Sequence, residues 1–206
     1  MRNHSYGSGG PMCPALAESV EFTPAVVIGS GLAGLAIATE LQRKGVDAIV
    51  LGGMDCGGAG CNPHSGDFRS AAERTELLRL LRSYARSHQL DVRPRSLVQS
   101  LNQSTAEDHD LPVRHNGKWV IQTSSGTVLA DTVVLTRVAQ NHFRSFLRSL
   151  GIAVTSNLKA VLQTLGIYLV GVGESISPTT REIVRQAKGA CNAITFPKSA
   201  TIPLTA

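Results

Sequence analysis

The chain has 206 residues, a length that fits one domain with a core of its own. Hydrophobic residues make up 42% and charged residues 17%, which excludes a wholly disordered chain. The net charge of +5 comes from scattered basic residues and aromatic residues are only 4%, so the composition does not favour a nucleic-acid partner.

The ends of the chain are predicted to be tails around a single domain. Residues 1–22 contain many glycines and prolines and no apolar run typical of a secretory signal. The longest apolar stretch, Ala25–Ala38, is interrupted by glycines and is too short to span a bilayer. We therefore expect a cytoplasmic protein that does not bind membranes, with a flexible tail at 1–22, one domain at 23–196 and a C-terminal tail at 197–206.

The first half of the chain predicts alternating strands and helices, beginning with a parallel strand–helix–strand unit. The arginines of the second helix, at positions 79, 82 and 86, are interpreted as its solvated face. The predicted elements are a strand at Ala25–Ile28, a helix at Leu32–Arg43, a strand at Val46–Leu51, a glycine-rich loop at Gly52–Gly66, a helix at Ala71–His88 and a strand at Leu90–Val98.

The second half predicts a polar surface loop, a short antiparallel meander and a return to the parallel sheet. Three apolar runs are separated by turn signals such as Ser125-Gly126. The predicted elements are a loop at Asn102–Lys118, strands at Trp119–Thr123, Thr127–Ala130 and Asp131–Thr136, a helix at Asn141–Leu150, a strand at Gly166–Gly171 and a helix at Thr179–Ala193 that Pro178 introduces.

A glycine motif with the spacing G-x-G-x-x-G connects the first strand to the first helix. In such a turn the first glycine allows the tight bend, the second lets a diphosphate approach the backbone, and the third lets helix and strand pack closely. The free N–H groups at the start of the helix attract the phosphates. A tight turn without a ligand is the alternative. The predicted cofactor-binding residues of this turn are Gly29, Ser30, Gly31, Leu32, Ala33 and Gly34.

The second strand lacks the acidic residue that would hold the ribose of a dinucleotide. That residue is expected about 20 positions after the motif, at the tip of the strand. Here the strand ends at Leu51 and Gly52 follows, while Asp47 comes too early and Asp55 lies in the loop. Recognition of the ribose is therefore weakened or supplied by other residues.

In the order of these motifs the chain resembles the flavoproteins with two dinucleotide-binding domains, namely thioredoxin reductase, glutathione reductase and the flavin-containing monooxygenases. The resemblance covers residues 24–195 and rests on the glycine motif, Asp91-Val-Arg with Val98, the meander that ends in Asp131–Arg137, and Gly166–Glu174. It implies an α/β fold with a Rossmann-like parallel sheet flanked by helices and a small antiparallel β-meander. It also implies FAD as the cofactor, with NAD(P)H as a further candidate.

The resemblance also assigns roles to residues outside the glycine turn. The backbone near Val98 would meet the adenine, and Gly173 with Glu174 would meet the ribityl chain. Thr136 is counted among the cofactor contacts because it lies in the strand that closes in Ala-Thr-Gly in the family.

Three features depart from the family pattern. Arg137 stands where the family has glycine, and Glu174 stands where it has aspartate. Only the short connection Val138–Thr164 lies where the family inserts an NAD(P)H-binding domain. The chain therefore resembles a flavin domain without its own hydride source, and a redox partner protein or a diffusing donor would have to supply the electrons.

The late Gly171-Val-Gly-Glu segment has a second interpretation, as a nicotinamide-binding turn with Asn192-Ala-Ile-Thr as the next strand. Ile176 would then occupy the third glycine position, where a bulky side chain obstructs helix packing. This steric argument favours the flavin role for Glu174.

The cysteines suggest one candidate catalytic pair. Cys56 and Cys61 have the C-x4-C spacing of the redox disulfide in glutathione-reductase-like enzymes, and a dithiol beside a flavin could relay electrons. Chance spacing in a glycine-rich loop is the alternative. A zinc site that adds His64 lacks a fourth ligand, so no metal is predicted. Cys191 is expected to be a buried small hydrophobic residue.

These observations leave three hypotheses for function. The first is an FAD-binding oxidoreductase whose electron donor and acceptor the sequence does not identify. The second is a degenerate nucleotide-binding or interaction module, and the third is an NAD(P)-binding protein without flavin. The oligomeric state stays open, although a sheet edge left exposed by a missing domain would suit a homodimer.

Overall fold

The protein is described by a computed structural model, which covers residues 20–54, 68–104, 119–136, 140–152, 157–171 and 178–194. Six strands and five helices are formed by these residues. In chain order they are β1 (Val20–Ile28), α1 (Leu32–Arg43), β2 (Ala48–Met54), α2 (Phe68–Ser87), β3 (Asp91–Gln103), β4 (Trp119–Thr123), β5 (Gly126–Thr136), α3 (Gln140–Ser149), α4 (Leu158–Thr164), β6 (Ile167–Val170) and α5 (Thr180–Ala193).

Five strands pair in parallel in the order β3, β2, β1, β5, β6. β1 is the central strand, and its residues Ala25–Ile28 are all buried. Such a run is apolar at every position because helices or other strands cover both faces of the sheet. The prediction of an α/β fold with a parallel sheet is confirmed, and β1 also includes Val20–Phe22, which the predicted domain division placed in the tail.

The long strands β3 and β5 each take part in both the parallel sheet and the antiparallel meander. The first part of β3 pairs with β2, and its second part pairs with β4 in antiparallel fashion. The first part of β5 pairs with β4, and its second part pairs with β6. Because β5 also pairs with β1 along its length, strands β1 to β5 form a closed ring. The predicted meander is present, but the sheet closes into a barrel, which the sequence interpretation did not include.

Helices cover the two faces of the parallel sheet and bury two separate cores. On one face, α1 and α5 contribute Ile37, Leu41 and Ile183 to a cluster that includes Val27. On the other face, α3, α4 and the meander bury a second cluster around Trp119. The indole Nε1–H of Trp119 donates to the carbonyl oxygen of Leu165 at 3.0 Å, so this fully buried side chain has a polar partner.

The predicted boundaries are correct where the local pattern is strong. Helix α1 has the predicted bounds, whereas α2 begins at Phe68, three residues before the predicted start. The two apolar runs that were predicted as separate strands join in β5, and Gly52 belongs to β2 instead of a loop. Helix α4 was not predicted. In the described part of the chain, no helix combines the length and the apolar character needed to cross a membrane.

Candidate functional site

The predicted dinucleotide turn lies at the carboxyl end of the central strand. After β1, helix α1 crosses to β2 on one face of the sheet; after β5, helices α3 and α4 lie on the opposite face before β6. The connections that follow the neighbouring strands β1 and β5 therefore lie on opposite faces of the sheet. In open parallel sheets such a switch leaves a crevice outside the carboxyl ends of the two strands, where ligands bind; β1 and β5 are parallel neighbours here, although the meander closes the sheet into a ring.

The turn is fixed to its neighbours by backbone and side-chain hydrogen bonds. The N–H group of Gly29 donates to the carbonyl oxygen of Leu51 in β2 at 3.0 Å. On the other side, the Oγ1 hydroxyl of Thr136 donates to the carbonyl oxygen of Ile28 at 2.9 Å. Thr136 thus lies beside the turn, and its hydroxyl proton is used to hold β1 and β5 together. Its contact with a cofactor stays a prediction.

The three glycines of the motif have three different surroundings. Gly29 has φ +117°, and a side chain there would collide with the hydroxyl of Thr136. Gly34 packs so closely that a Cβ would overlap the carbonyl oxygen of Gly29. Gly31 is exposed and has nothing within 4 Å of the position that a Cβ would take. The first and third glycines therefore permit the turn and the packing, while the second leaves open space above the backbone.

Among the described residues, no side chain caps the start of helix α1. Gly31 is the N-cap, and the first turn of the helix contains no acidic residue. The first intrahelical hydrogen bond runs from the N–H of Leu35 to the carbonyl oxygen of Gly31 at 2.9 Å, so the N–H groups of residues 32–34 have no acceptor within the helix. These donors and the open face of Gly31 fit a diphosphate.

Gly52, where the acidic residue is expected, has no room for a side chain. A side chain at Gly52 would collide with the carbonyl group of Pro94, because the pairing of β2 with β3 shifts register between Leu51 and Gly53. The glycine is therefore required by the passing backbone of β3. Asp55 lies outside the described residues.

The other predicted site residues fall into two groups. Val98 is 1% exposed and lies where β3 leaves β2 for β4, so only its backbone could reach a ligand, as the resemblance implies; its contact with adenine stays a prediction. The second group lies outside the described residues: Cys56, Cys61, Gly173 and Glu174.

Gly171 is the described residue of the late glycine segment, and it follows β6 and lies beside the glycine turn. Gly171 has φ +71°, approaches the Cβ of Ala33, and donates its N–H to Oε1 of Gln186 at 2.8 Å. Asn192 lies in α5, so the strand that the nicotinamide interpretation placed there is wrong at this residue.

Cys191 is 1% exposed on α5, and burial raises the pKa of its thiol. The carbonyl oxygen of Cys191 accepts a hydrogen bond from Nζ of Lys44 at 2.8 Å. The expectation of a buried small hydrophobic residue is confirmed. No three potential metal ligands come together among the residues with described structure.

A cleft of about 440 Å³ opens beside the glycine turn, between α1, α2 and the start of β3. We call it the arginine cleft; its lining residues are Ser30, Leu35, Arg82, Ala85, Arg86, Leu90, Val92 and Pro94. Its volume is ordinary for a small-molecule site. Arg82 and Arg86 are exposed, as the interpretation of a solvated helix face predicts, and they also line this cleft, which that interpretation did not include. Their i, i+4 spacing, which puts both on one side of α2, was the available signal.

Comparison with known proteins gives only partial likenesses. No family model and no curated protein matches the chain. Among solved structures, the bacillithiol disulfide reductase Bdr (YpdA) from Staphylococcus aureus is 19% identical, with 57% of this chain and 39% of that chain covered and a TM-score of 0.41. The thioredoxin reductase of T. acidophilum is 22% identical, with 56% and 35% covered and a TM-score of 0.38. The p-nitrophenol 4-monooxygenase PnpA from Pseudomonas putida DLL-E4 is 15% identical, with 60% and 43% covered and a TM-score of 0.42.

The chain thus spans less than half the length of each of these three structures.

Proposed function

We propose that this protein binds an adenine dinucleotide, in the first instance FAD, with the diphosphate at the start of α1, and that it acts as an oxidoreductase. The observation that carries the proposal is the arrangement of Gly29, Gly31 and Gly34. Two of these glycines have no room for a side chain, and the third faces open space next to uncapped N–H groups. This is the division of roles that a diphosphate-binding turn requires.

FAD is favoured over other dinucleotides by the strands outside this turn. A simple dinucleotide-binding half needs only parallel strands and crossover helices. Here an antiparallel meander interrupts the crossover between β3 and β5, in the place that the flavoprotein resemblance predicts. When bound, FAD supplies the redox chemistry, while the protein binds and orients it.

Further residues have proposed roles in this complex. The backbone at Val98 would contact the adenine, and Glu174 would contact the ribityl chain. Cys56 and Cys61 would relay electrons between the flavin and a redox partner protein or a small disulfide. These assignments come from the resemblance and are tested separately from FAD binding.

The test is the visible absorption spectrum of the purified protein after incubation with FAD and removal of the excess. We expect a bound flavin band that bleaches with dithionite. The variant Gly31→Trp should lose the band because the ring would fill the space above the turn. The matched control is Gly189→Trp, which changes an exposed glycine of α5 that likewise has nothing within 4 Å of a Cβ.

Three results separate the hypotheses. A folded wild-type protein that stays colourless but binds NAD(P)H would favour a nicotinamide protein without flavin. A folded protein that binds neither nucleotide would favour the degenerate module. Flavin binding that survives Gly31→Trp would show that the diphosphate lies elsewhere.

A further inference from the structure

Two side-chain hydrogen bonds tie strand β6 to helix α5, one near each end of the strand. Near its start, the phenol of Tyr168 donates to the carbonyl oxygen of Ala193 at the end of α5 at 3.1 Å. After its end, the N–H of Gly171 donates to Oε1 of Gln186 at 2.8 Å. The pairing of β6 with β5 ends at Val170, so Gln186 binds the backbone just beyond the last residue pair of the two strands.

The amide group of Gln186 is held in one orientation by a second partner. Its Nε2 donates to Oε1 of Glu182, one turn earlier in α5, at 3.1 Å. Hydrogen bonds from Arg185 and then from Gln186 lower the pKa of Glu182, so this carboxylate is ionised at neutral pH and can only accept. The amide nitrogen of Gln186 therefore faces Glu182, and its amide oxygen faces the N–H of Gly171.

The backbone that Gln186 holds packs against the first turn of α1. Gly171 has φ +71°, and a Cβ at this residue would lie 3.0 Å from the Cβ of Ala33. Ala33 is the second residue of α1, and its N–H is among the donors proposed for the diphosphate. A shift of Gly171 would therefore change the surface against which these donors are placed.

We propose that Gln186 is a positioning residue of the nucleotide site. Its hydrogen bond to Gly171 holds the end of β6 against Ala33 and keeps the first turn of α1 in the arrangement that binds the diphosphate. Gln186 acts through the backbone of Gly171 and does not contact the nucleotide. This inference rests on the proposed diphosphate site, and it adds a residue of α5 that lies outside the glycine motif.

The test compares Gln186→Leu with Tyr168→Phe in FAD titrations of the full chain, followed by flavin absorption. Each variant removes one hydrogen bond between β6 and α5, but only the first acts at the end of β6 that lies beside α1. Gln186→Leu should raise the Kd for FAD by about fivefold to tenfold, because fewer free molecules have the binding-competent arrangement and the apparent Kd rises in proportion. At saturation its flavin band should equal that of wild type, since the nucleotide loses no contact. Tyr168→Phe should leave the Kd unchanged, although urea denaturation should show a similar loss of stability in both variants.

An exchange of the two side chains tests the hydrogen bonds themselves. Gln186→Glu alone would place its carboxylate against that of Glu182, and this repulsion should weaken FAD binding. When Gln186→Glu is combined with Glu182→Gln, the carboxylate at position 186 can accept hydrogen bonds from the N–H of Gly171 and from the amide at position 182. We expect the double variant to recover most of the affinity that the single variant loses.

The outcomes distinguish this inference from the proposed function. If FAD binds and Gly31→Trp abolishes binding, but Gln186→Leu has the wild-type Kd, the inference is overturned and the proposed function stands. An equal rise of the Kd in Tyr168→Phe, or no recovery in the double variant, also overturns it, because the effect would then not depend on the hydrogen bond to Gly171. If the folded wild-type protein binds no FAD, the proposed function fails and the inference fails with it.

Discussion

Helices α1 and α5 lie side by side, and their first turns are built in different ways. Lys44 after the end of α1 reaches the carbonyl of Cys191 near the end of α5, so the two helices point in the same direction. In α5, the hydroxyl of Thr179 accepts a hydrogen bond from the N–H of Glu182 at 3.2 Å. Helix α1 has neither such a cap nor an acidic residue in its first turn.

This difference shows which helix start is available to an anion. In α5 the cap and the negative charge of Glu182 already stabilise the N-terminus, and a phosphate would meet repulsion there. In α1 the same backbone groups lack a partner from the helix itself. Both helices follow a Gly-x-Gly segment in the sequence, so the caps, more than the glycines, distinguish the turn that we propose to bind a diphosphate from the one before α5.

The largest expected effect comes from filling the contact beneath the α1 turn. Gly34→Ala should lower the free energy of unfolding by about 2–3 kcal/mol, because the added methyl group would overlap the carbonyl oxygen of Gly29. Urea denaturation measures the change. Gly189→Ala in α5 is the control: it should raise the stability by about 0.5–1 kcal/mol, since alanine is the better helix former and the site is open. Equal stability of Gly34→Ala and wild type would contradict the close packing.

A second change converts the start of α1 into one that resembles α5. Gly31→Asp should weaken FAD binding by more than about tenfold, because its carboxylate would repel the diphosphate. The stability should stay the same or rise by a few tenths of a kcal/mol, because aspartate is a good N-cap. Flavin titration and urea denaturation on the same samples measure both effects. Gly31→Ser, a cap without charge, should lose less affinity; an equal loss would point to sterics instead of charge.

The reverse change removes the cap from α5. Thr179→Ala should lower the stability by about 1 kcal/mol, since the N–H of Glu182 loses its partner. FAD binding should not change, because no phosphate is proposed at this helix. Thermal denaturation with and without FAD would reveal a loss of ligand stabilisation, which would contradict the assignment of the diphosphate to α1.

The smallest expected effect concerns the charge of Glu182. Hydrogen bonds from Arg185 and then from Gln186 hold the pKa of Glu182 below its ordinary value of 4.5. A lowered pKa in the folded state stabilises the protein above the unfolded-state pKa, and this contribution is lost as the pH falls through the folded-state value. Glu182→Gln should therefore be slightly less stable than wild type at neutral pH, and the difference should vanish in acid. A difference that grows in acid would contradict the pairing.

The sequence predicted the features that depend on neighbours along the chain. The bounds of α1 followed from helical spacing between a glycine turn and Lys44-Gly45, and the roles of Gly29 and Gly34 followed from their positions in the motif. The short helix α4 was missed because its seven residues are too few for a clear period.

The missed features depend on contacts between distant residues. Gly52 was placed in a loop, although the backbone of Pro94 is what excludes a side chain there. The closed ring was missed because β5 pairs with three other strands, and a hydrophobic pattern does not specify partners. Arg82 and Arg86 were interpreted from α2 alone, whereas the cleft that they line also needs α1 and β3.

The hydrogen bond from Thr136 to Ile28 has a consequence for how the protein is made. It joins residues 108 positions apart, and it holds one side of the glycine turn. Contacts of such long sequence separation form slowly, and a nascent chain cannot make them until the later partner has been synthesised. We therefore expect β1 and the glycine turn to leave the ribosome early but to become competent for nucleotide binding only after β5 has emerged. Nascent chains stalled before and after β5 should differ sharply in their retention of FAD.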